Sequence, residues 1–151
     1  MKNKSKLIQI LLILGITIAG STFLNDLLFF YKNEKTILKL KGVIINNPIL
    51  TPCFLGLLGF IFFLIWFNHI KRSKNKLKQL RYFYLSLIGA NVFGWSNVLL
   101  EFITFYTKNN YNSCGSSFIK TPFLSPCLFG STIFLILLFI TKTIISNNYK
   151  L

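Results

Sequence analysis

The sequence predicts an all-α integral membrane protein: four transmembrane helices arranged as two tandem helical hairpins. Three observations predict it. Hydrophobic residues make up 53% of the 151 positions, 17 of them phenylalanine, against three acidic residues. That is more apolar surface than one small soluble core can hide. The apolar residues fall into four stretches, each near the roughly 20 residues of helix needed to cross about 30 Å of hydrocarbon. The phrase "NPILTPCFLG" at residues 47 to 56 returns as "TPFLSPCLFG" at residues 121 to 130.

The first stretch, from Leu7 to Phe30, follows the basic segment "MKNKSK". A signal peptide begins in the same way. Because the segment recurs internally, it is expected to be a retained span. The second stretch runs from Leu50 to Phe67, the third from Tyr82 to Phe105 and the fourth from Pro126 to Ile140. Between the first two, "TILKLKGVIINN" is expected to lie extended over the outer face. The formal charge is +14, with the basic residues in short clusters between apolar runs. A nucleic-acid binder needs a continuous basic stripe, so nucleic acid is excluded as a partner and anionic lipid headgroups are the expected counter-charge at the basic loop of residues 71 to 81. Eleven Lys and Arg lie in the N-terminus, the middle connection and the tail, and six in the other two connections. The positive-inside rule then places both termini in the cytoplasm of a multi-pass protein of the cell membrane.

Between Pro48 to Gly56 and Pro122 to Gly130, five of nine positions are identical at an offset of 74. Upstream, "DLLFFYKN" from Asp26 matches "EFITFYTK" from Glu101 at an offset of 75. Two words in the same order and spacing point to a duplicated helix–connection–helix unit, residues 1–76 and 77–151. With an even number of spans, both copies enter the membrane in the same direction, so the expected symmetry is a pseudo-twofold along the membrane normal.

Within each phrase a hydroxyl precedes a proline, Thr51-Pro52 and Ser125-Pro126. Such a pair starts a helix, the hydroxyl as cap and the proline at a first position whose N–H has no intrahelical partner. Cys53 and Cys127 then fall in first turns, where the helix dipole favours a charged sulfur. Gly56 and Gly130 lie three residues on and are expected to let a neighbouring helix approach. Cys114, thirteen positions before Cys127, makes a Cys114–Cys127 disulfide the expected bridge, worth roughly 3 kcal/mol on the chain-entropy model. Three single bridges are open to three cysteines.

A second pattern runs along the first and third spans. Gly15, Ala19, Thr22 and Asp26 share one helical face, as do Ala90, Gly94, Asn97 and Glu101. Under the pseudo-twofold these stripes are expected to face each other, with Gly15, Ala19, Ala90 and Gly94 packing helices together and Thr22, Asn97, Asp26 and Glu101 forming an intramembrane polar site. Trp66 is expected as an interfacial anchor, Trp95 as packing and the sole histidine, His69, as interfacial. With no CxxC pair, no metal site is expected.

Two classes of function fit. The first is non-enzymatic: a packing or assembly component, or a small-solute transport component, partnered by a second copy or another membrane protein and needing no cofactor. The second is a membrane thiol-disulfide oxidoreductase. In plan, four spans with Pro52-Cys53 opening the second and cysteines Cys114 and Cys127 near the second outer connection, the chain resembles the membrane proteins that generate disulfides with a quinone. That resemblance implies Cys53, Cys114 and Cys127 as catalytic residues and quinone as cofactor. It departs where those proteins carry Cys-x-x-Cys, since this chain reads Cys53-Phe-Leu-Gly56 and Cys127-Leu-Phe-Gly130, and a lone thiol cannot close the intramolecular disulfide of such a cycle. The non-enzymatic class is therefore preferred.

Overall fold

The structure is a computed structural model that describes residues 2–34, 52–107, 123 and 125–149. Four α-helices account for nearly all of it: α1 (Lys2–Glu34), α2 (Pro52–Arg72), α3 (Lys76–Thr107) and α4 (Pro126–Tyr149). Each contains a stretch long and apolar enough to cross a membrane. In such a stretch the helix satisfies every backbone group internally, as an apolar solvent demands. The hydroxyls follow the same rule. Thr22, Ser96, Ser131 and Thr141 each donate to the carbonyl four residues back, at 2.6 to 2.8 Å, so they present no bare polar group to their surroundings.

The helices run past the apolar stretches into their basic flanks, because Lys and Arg are good helix formers and nothing in the flanks breaks the ladder. The middle basic segment is accordingly not a loop. Only Ser73 to Asn75 lie outside helix, and Lys76, Lys78 and Arg81 stand on the first turns of α3. That turn is closed by Ser73 N–H to the Ile70 carbonyl at 3.2 Å and Asn75 N–H to Ser73 Oγ at 3.2 Å. The segment of residues 36–47, Thr51, Cys114 and the connections around Pro48 and Pro122 lie outside the described residues.

Neighbours along the chain are antiparallel. Gln9 Nε2 donates to Asn68 Oδ1 at 2.6 Å near one end of α1 and α2, and the Phe23 and Phe54 rings meet at 4.9 Å near the other. The starts of α1 and α3 therefore share an end with the finishes of α2 and α4. This basic end carries Lys4, Lys6, Lys71 to Arg81 and Lys142; the opposite, cysteine end carries the starts of α2 and α4. α1 packs on α2 and α4, α3 packs on α4 and α2, and α2 touches α4 across the middle, while α1 and α3 have the slightest contact of the six pairs.

The core is the seam where α2 meets α4. Phe60 and Phe134 stack there with ring centroids 4.2 Å apart and planes within 3°. Phe63 meets Phe134 at 5.6 Å and Phe83 at 5.4 Å, both edge-on. α1 contributes Ile8 and Leu12, α3 Phe83 and Leu87, all four fully buried, so α1 is an integral wall of the fold. Outward faces are apolar as well, with Ile10, Leu28, Ile65, Leu85, Val92 and Leu99 all well exposed. Helices apolar around their whole circumference suit lipid better than water. Of the two tryptophans, Trp66 lines a surface cleft at the basic end with His69 and Tyr82, while Trp95 is not the packing residue expected. Trp66 packs on Phe63 and Phe83, one turn from Phe63 on the same face, whereas Trp95 points outward at 39% exposure.

Candidate functional site

At the cysteine end the four helices leave a cavity of about 110 Å³. Its walls come from the positions the repeat singles out. α2 supplies Cys53 and Gly56, α4 supplies Cys127 and Gly130, α3 supplies Ala90, Gly94 and Asn97, and α1 supplies Ala19. Four rings, Phe60, Phe63, Phe93 and Phe134, complete it. It widens outward to Leu55 and Phe93, each about half exposed, so it opens sideways between α2 and α3.

The local structure explains the walls. Ser125 is fully buried and caps α4, its Oγ accepting from the Leu128 amide at 3.2 Å. This is the cap read from Ser125-Pro126, and it sets Cys127 in the first turn facing the cavity. Cys53 is a buried thiol, 5% exposed, at the equivalent place on α2. The glycines differ among themselves. A Cβ built on Gly15 would lie 2.5 to 2.7 Å from three carbons of the Phe60 ring, so this glycine is where α1 admits that ring. At the position offset by 75 stands Ala90, which lines the cavity. A Cβ on Gly94 would lie 2.7 Å from Ser131 Oγ, marking the close approach of α3 to α4. On Gly130 it would make ordinary contact with Phe60 at 3.8 Å, and on Gly56 it would meet nothing within 4 Å. Among the described residues no helix leans on Gly56, which lines the cavity.

The two stripes do not pack on each other as expected, because α2 and α4 meet between α1 and α3; they share only the cavity wall, through Ala19 on one side and Ala90, Gly94 and Asn97 on the other. Gly15 and Ala19 turn toward α2 and the cavity, Gly94 toward α4. Thr22 and Asn97 bond their own helices, to the Ile18 carbonyl at 2.6 Å and the Phe93 carbonyl at 2.8 Å. Glu101 is half-buried on α3, a turn beyond Asn97 and not in the cavity wall. Asp26 lies on α1, with its side chain outside the described set. Among the described residues no three His, Cys, Asp or Glu gather as a metal site, and His69 is exposed at the basic end.

Sequence reasoning missed the aromatic walls. The signal was present, since Phe60 and Phe134 are themselves separated by the offset of 74 that relates the two phrases. It also missed Asn91, 8% exposed, which donates through Nδ2 to the carbonyls of Leu87 at 2.9 Å and Phe134 at 3.0 Å, while its Oδ1 is buried without a partner among the described residues. The second bond ties α3 to α4 beside the cavity. No known protein family, curated protein or solved structure matches the chain.

Proposed function

We propose that the chain is a non-enzymatic, four-span membrane component that receives an apolar group of a membrane-dissolved partner between the cysteine ends of its helices. The observation that carries this reading is the cavity. Its walls are almost wholly apolar, it opens sideways toward what would be lipid, and its volume is close to that of engineered cavities of roughly 150 Å³ that stay dry and take up a benzene ring. Transport through a polar site at Asp26 and Glu101 has less support, because Glu101 does not line the cavity. In this reading the protein is a bundle of two duplicated hairpins with both termini cytoplasmic. The paired contacts of the helices and the stacking of Phe60 on Phe134, equivalent residues of the two copies, support the duplication. A Cys114–Cys127 bridge belongs to the same reading; with Cys53 a thiol, it is the one pairing the three cysteines leave.

The test is photolabelling of the reconstituted protein with a lipid carrying a diazirine in its acyl chain. Peptides from residues 53–63 and 90–97 should be labelled, and Gly56→Leu, whose Cβ would meet nothing within 4 Å and whose side chain would take up part of the cavity, should remove that labelling. Unchanged labelling in the variant would refute the reading. One observation favours a second: Cys53 and Cys127 line a common cavity with aromatic walls, as a quinone-linked thiol exchange requires. In that case Cys53→Ser abolishes thiol exchange with a reduced peptide, whereas under the first reading Cys53→Ser leaves lipid labelling intact.

A further inference from the structure

Two polar side chains interrupt the apolar wall of the cavity, and both turn their donors to the backbone. Ser131, 2% exposed, donates through Oγ to the Cys127 carbonyl at 2.7 Å, and Asn97 donates through Nδ2 to the Phe93 carbonyl at 2.8 Å. Both residues line the cavity. Because the amide group is planar, turning Nδ2 onto that carbonyl carries Oδ1 of Asn97 away from it. Among the described residues neither Ser131 Oγ nor Asn97 Oδ1 accepts a hydrogen bond. The two sit close together, since a Cβ on Gly94, one turn before Asn97, would lie 2.7 Å from Ser131 Oγ. The sulfurs of Cys53 and Cys127 are weak hydrogen-bonding partners. First-turn amides of α2 and α4 point back along their helix axes toward the cysteine end, away from Phe60 and Phe134. The wall therefore offers oxygen lone pairs, with its hydroxyl and amide donors already engaged.

We infer that the apolar molecule received by the cavity bears a hydroxyl group, which donates to Asn97 and Ser131. In a site of low dielectric an acceptor left bare is costly, and a donor that reaches it is worth more than in water. A hydroxyl supplies that hydrogen and a hydrocarbon does not. A ketone or an ether sets a second acceptor against the first. A carboxylate would bring a charge into a wall that holds no Lys, Arg or His, at the full cost of its desolvation. The positions also give the orientation. Asn97 lies seven positions beyond Ala90 on α3, about 10 Å nearer the cysteine end, while Phe60, Phe63 and Phe134 wall the inner part. The hydroxyl then faces the cysteine end and the apolar body lies among the rings, as an amphiphile sits in one leaflet.

The inference rests on the cavity reading of the proposed function, and the experiment separates the two. The probes are p-cresol and p-xylene, alike in shape with a hydroxyl in one where the other has a methyl, and acetophenone, which presents a carbonyl on the same ring. Uptake by vesicles carrying the full-length protein is measured by equilibrium dialysis against protein-free vesicles of the same lipid, so that partition into the bilayer cancels. Saturable uptake of p-cresol should be about fivefold tighter than that of p-xylene, the worth of one net hydrogen bond, and acetophenone should bind no tighter than p-xylene. Asn97→Leu with Ser131→Ala should bring p-cresol and p-xylene within about twofold of each other. Each single variant should reduce the preference and carries the test where the double variant does not fold. Ser96→Ala removes a hydroxyl of α3 that bonds the Val92 carbonyl outside the cavity wall, and should keep the preference. Equal binding of p-cresol and p-xylene, acetophenone binding as tightly as p-cresol, or a preference that survives the double variant overturns this inference and leaves the cavity reading standing. No saturable uptake of any of the three rings would sink the cavity reading itself, and this inference with it.

Discussion

Replacing Gly15 by alanine adds one methyl group at the place where α1 receives the Phe60 ring. That methyl would stand 2.5 to 2.7 Å from three ring carbons, about 1 Å inside the ordinary contact of 3.5 to 4.0 Å. The ring has little room to retreat. Phe60 is 1% exposed, and its far face stacks on Phe134 at 4.2 Å. Overpacking of this kind costs about 1 to 3 kcal/mol, and the gain in helix propensity from Gly to Ala returns at most about 1 kcal/mol. The expected net loss is therefore about 1 to 2 kcal/mol. Gly89→Ala is the internal control, since a Cβ there meets nothing within 4 Å and should be neutral or stabilising by up to about 1 kcal/mol. Equilibrium unfolding in mixed micelles, followed by loss of helical circular dichroism, measures both. Phe60→Leu removes the ring edge, so the double variant with Gly15→Ala should recover part of the loss. Equal stabilities for Gly15→Ala and Gly89→Ala would refute the reasoning, because they would mean that α1 does not seat against Phe60.

Ser125→Ala removes the side-chain cap of α4 and should cost about 1 kcal/mol in the same unfolding assay. Asn91→Leu should change stability by less than about 1 kcal/mol, since it removes an oxygen buried without a partner among the described residues along with two donated hydrogen bonds, whereas Asn91→Asp, a charge in a buried site, should cost more than about 2 kcal/mol. Peptide mapping without reductant should recover Cys114 and Cys127 in one cross-linked species and Cys53 as an alkylated thiol after denaturation; alkylation of all three would exclude the bridge.

The four helices were legible because each signal is local and strong: the long apolar runs, and the hydroxyl-proline pair before Cys127, which the Ser125 cap reproduces atom for atom. Helix ends were less legible, since apolarity stops at the basic flanks while the backbone ladder of α3 already begins at Lys76. The candidate site was half legible. Offsets of 74 and 75 identified Cys53, Gly56, Gly94 and Gly130 as related positions, and these do share the cavity wall. What they face depends on which diagonal pair of helices meets in the middle. Periodicity places residues on a face but does not say which neighbour covers it, so the stripes were assigned to each other when bulky Phe60 and Phe134 in fact hold the centre.

The turn from Ser73 to Asn75 has a mechanical consequence. With three residues and two hydrogen bonds from Ser73 and Asn75, it leaves no slack for α2 and α3 to slide or separate at that end. Any widening of the gap between Leu55 and Phe93 must then come from a change of angle about this fixed point, with α2 as the lever arm. An arm of 21 residues is about 30 Å long, so a tilt of about 5° moves its tip by about 2.6 Å, enough to admit the edge of a ring. The tip is where Cys53 stands, so the position of its sulfur would report the opening directly.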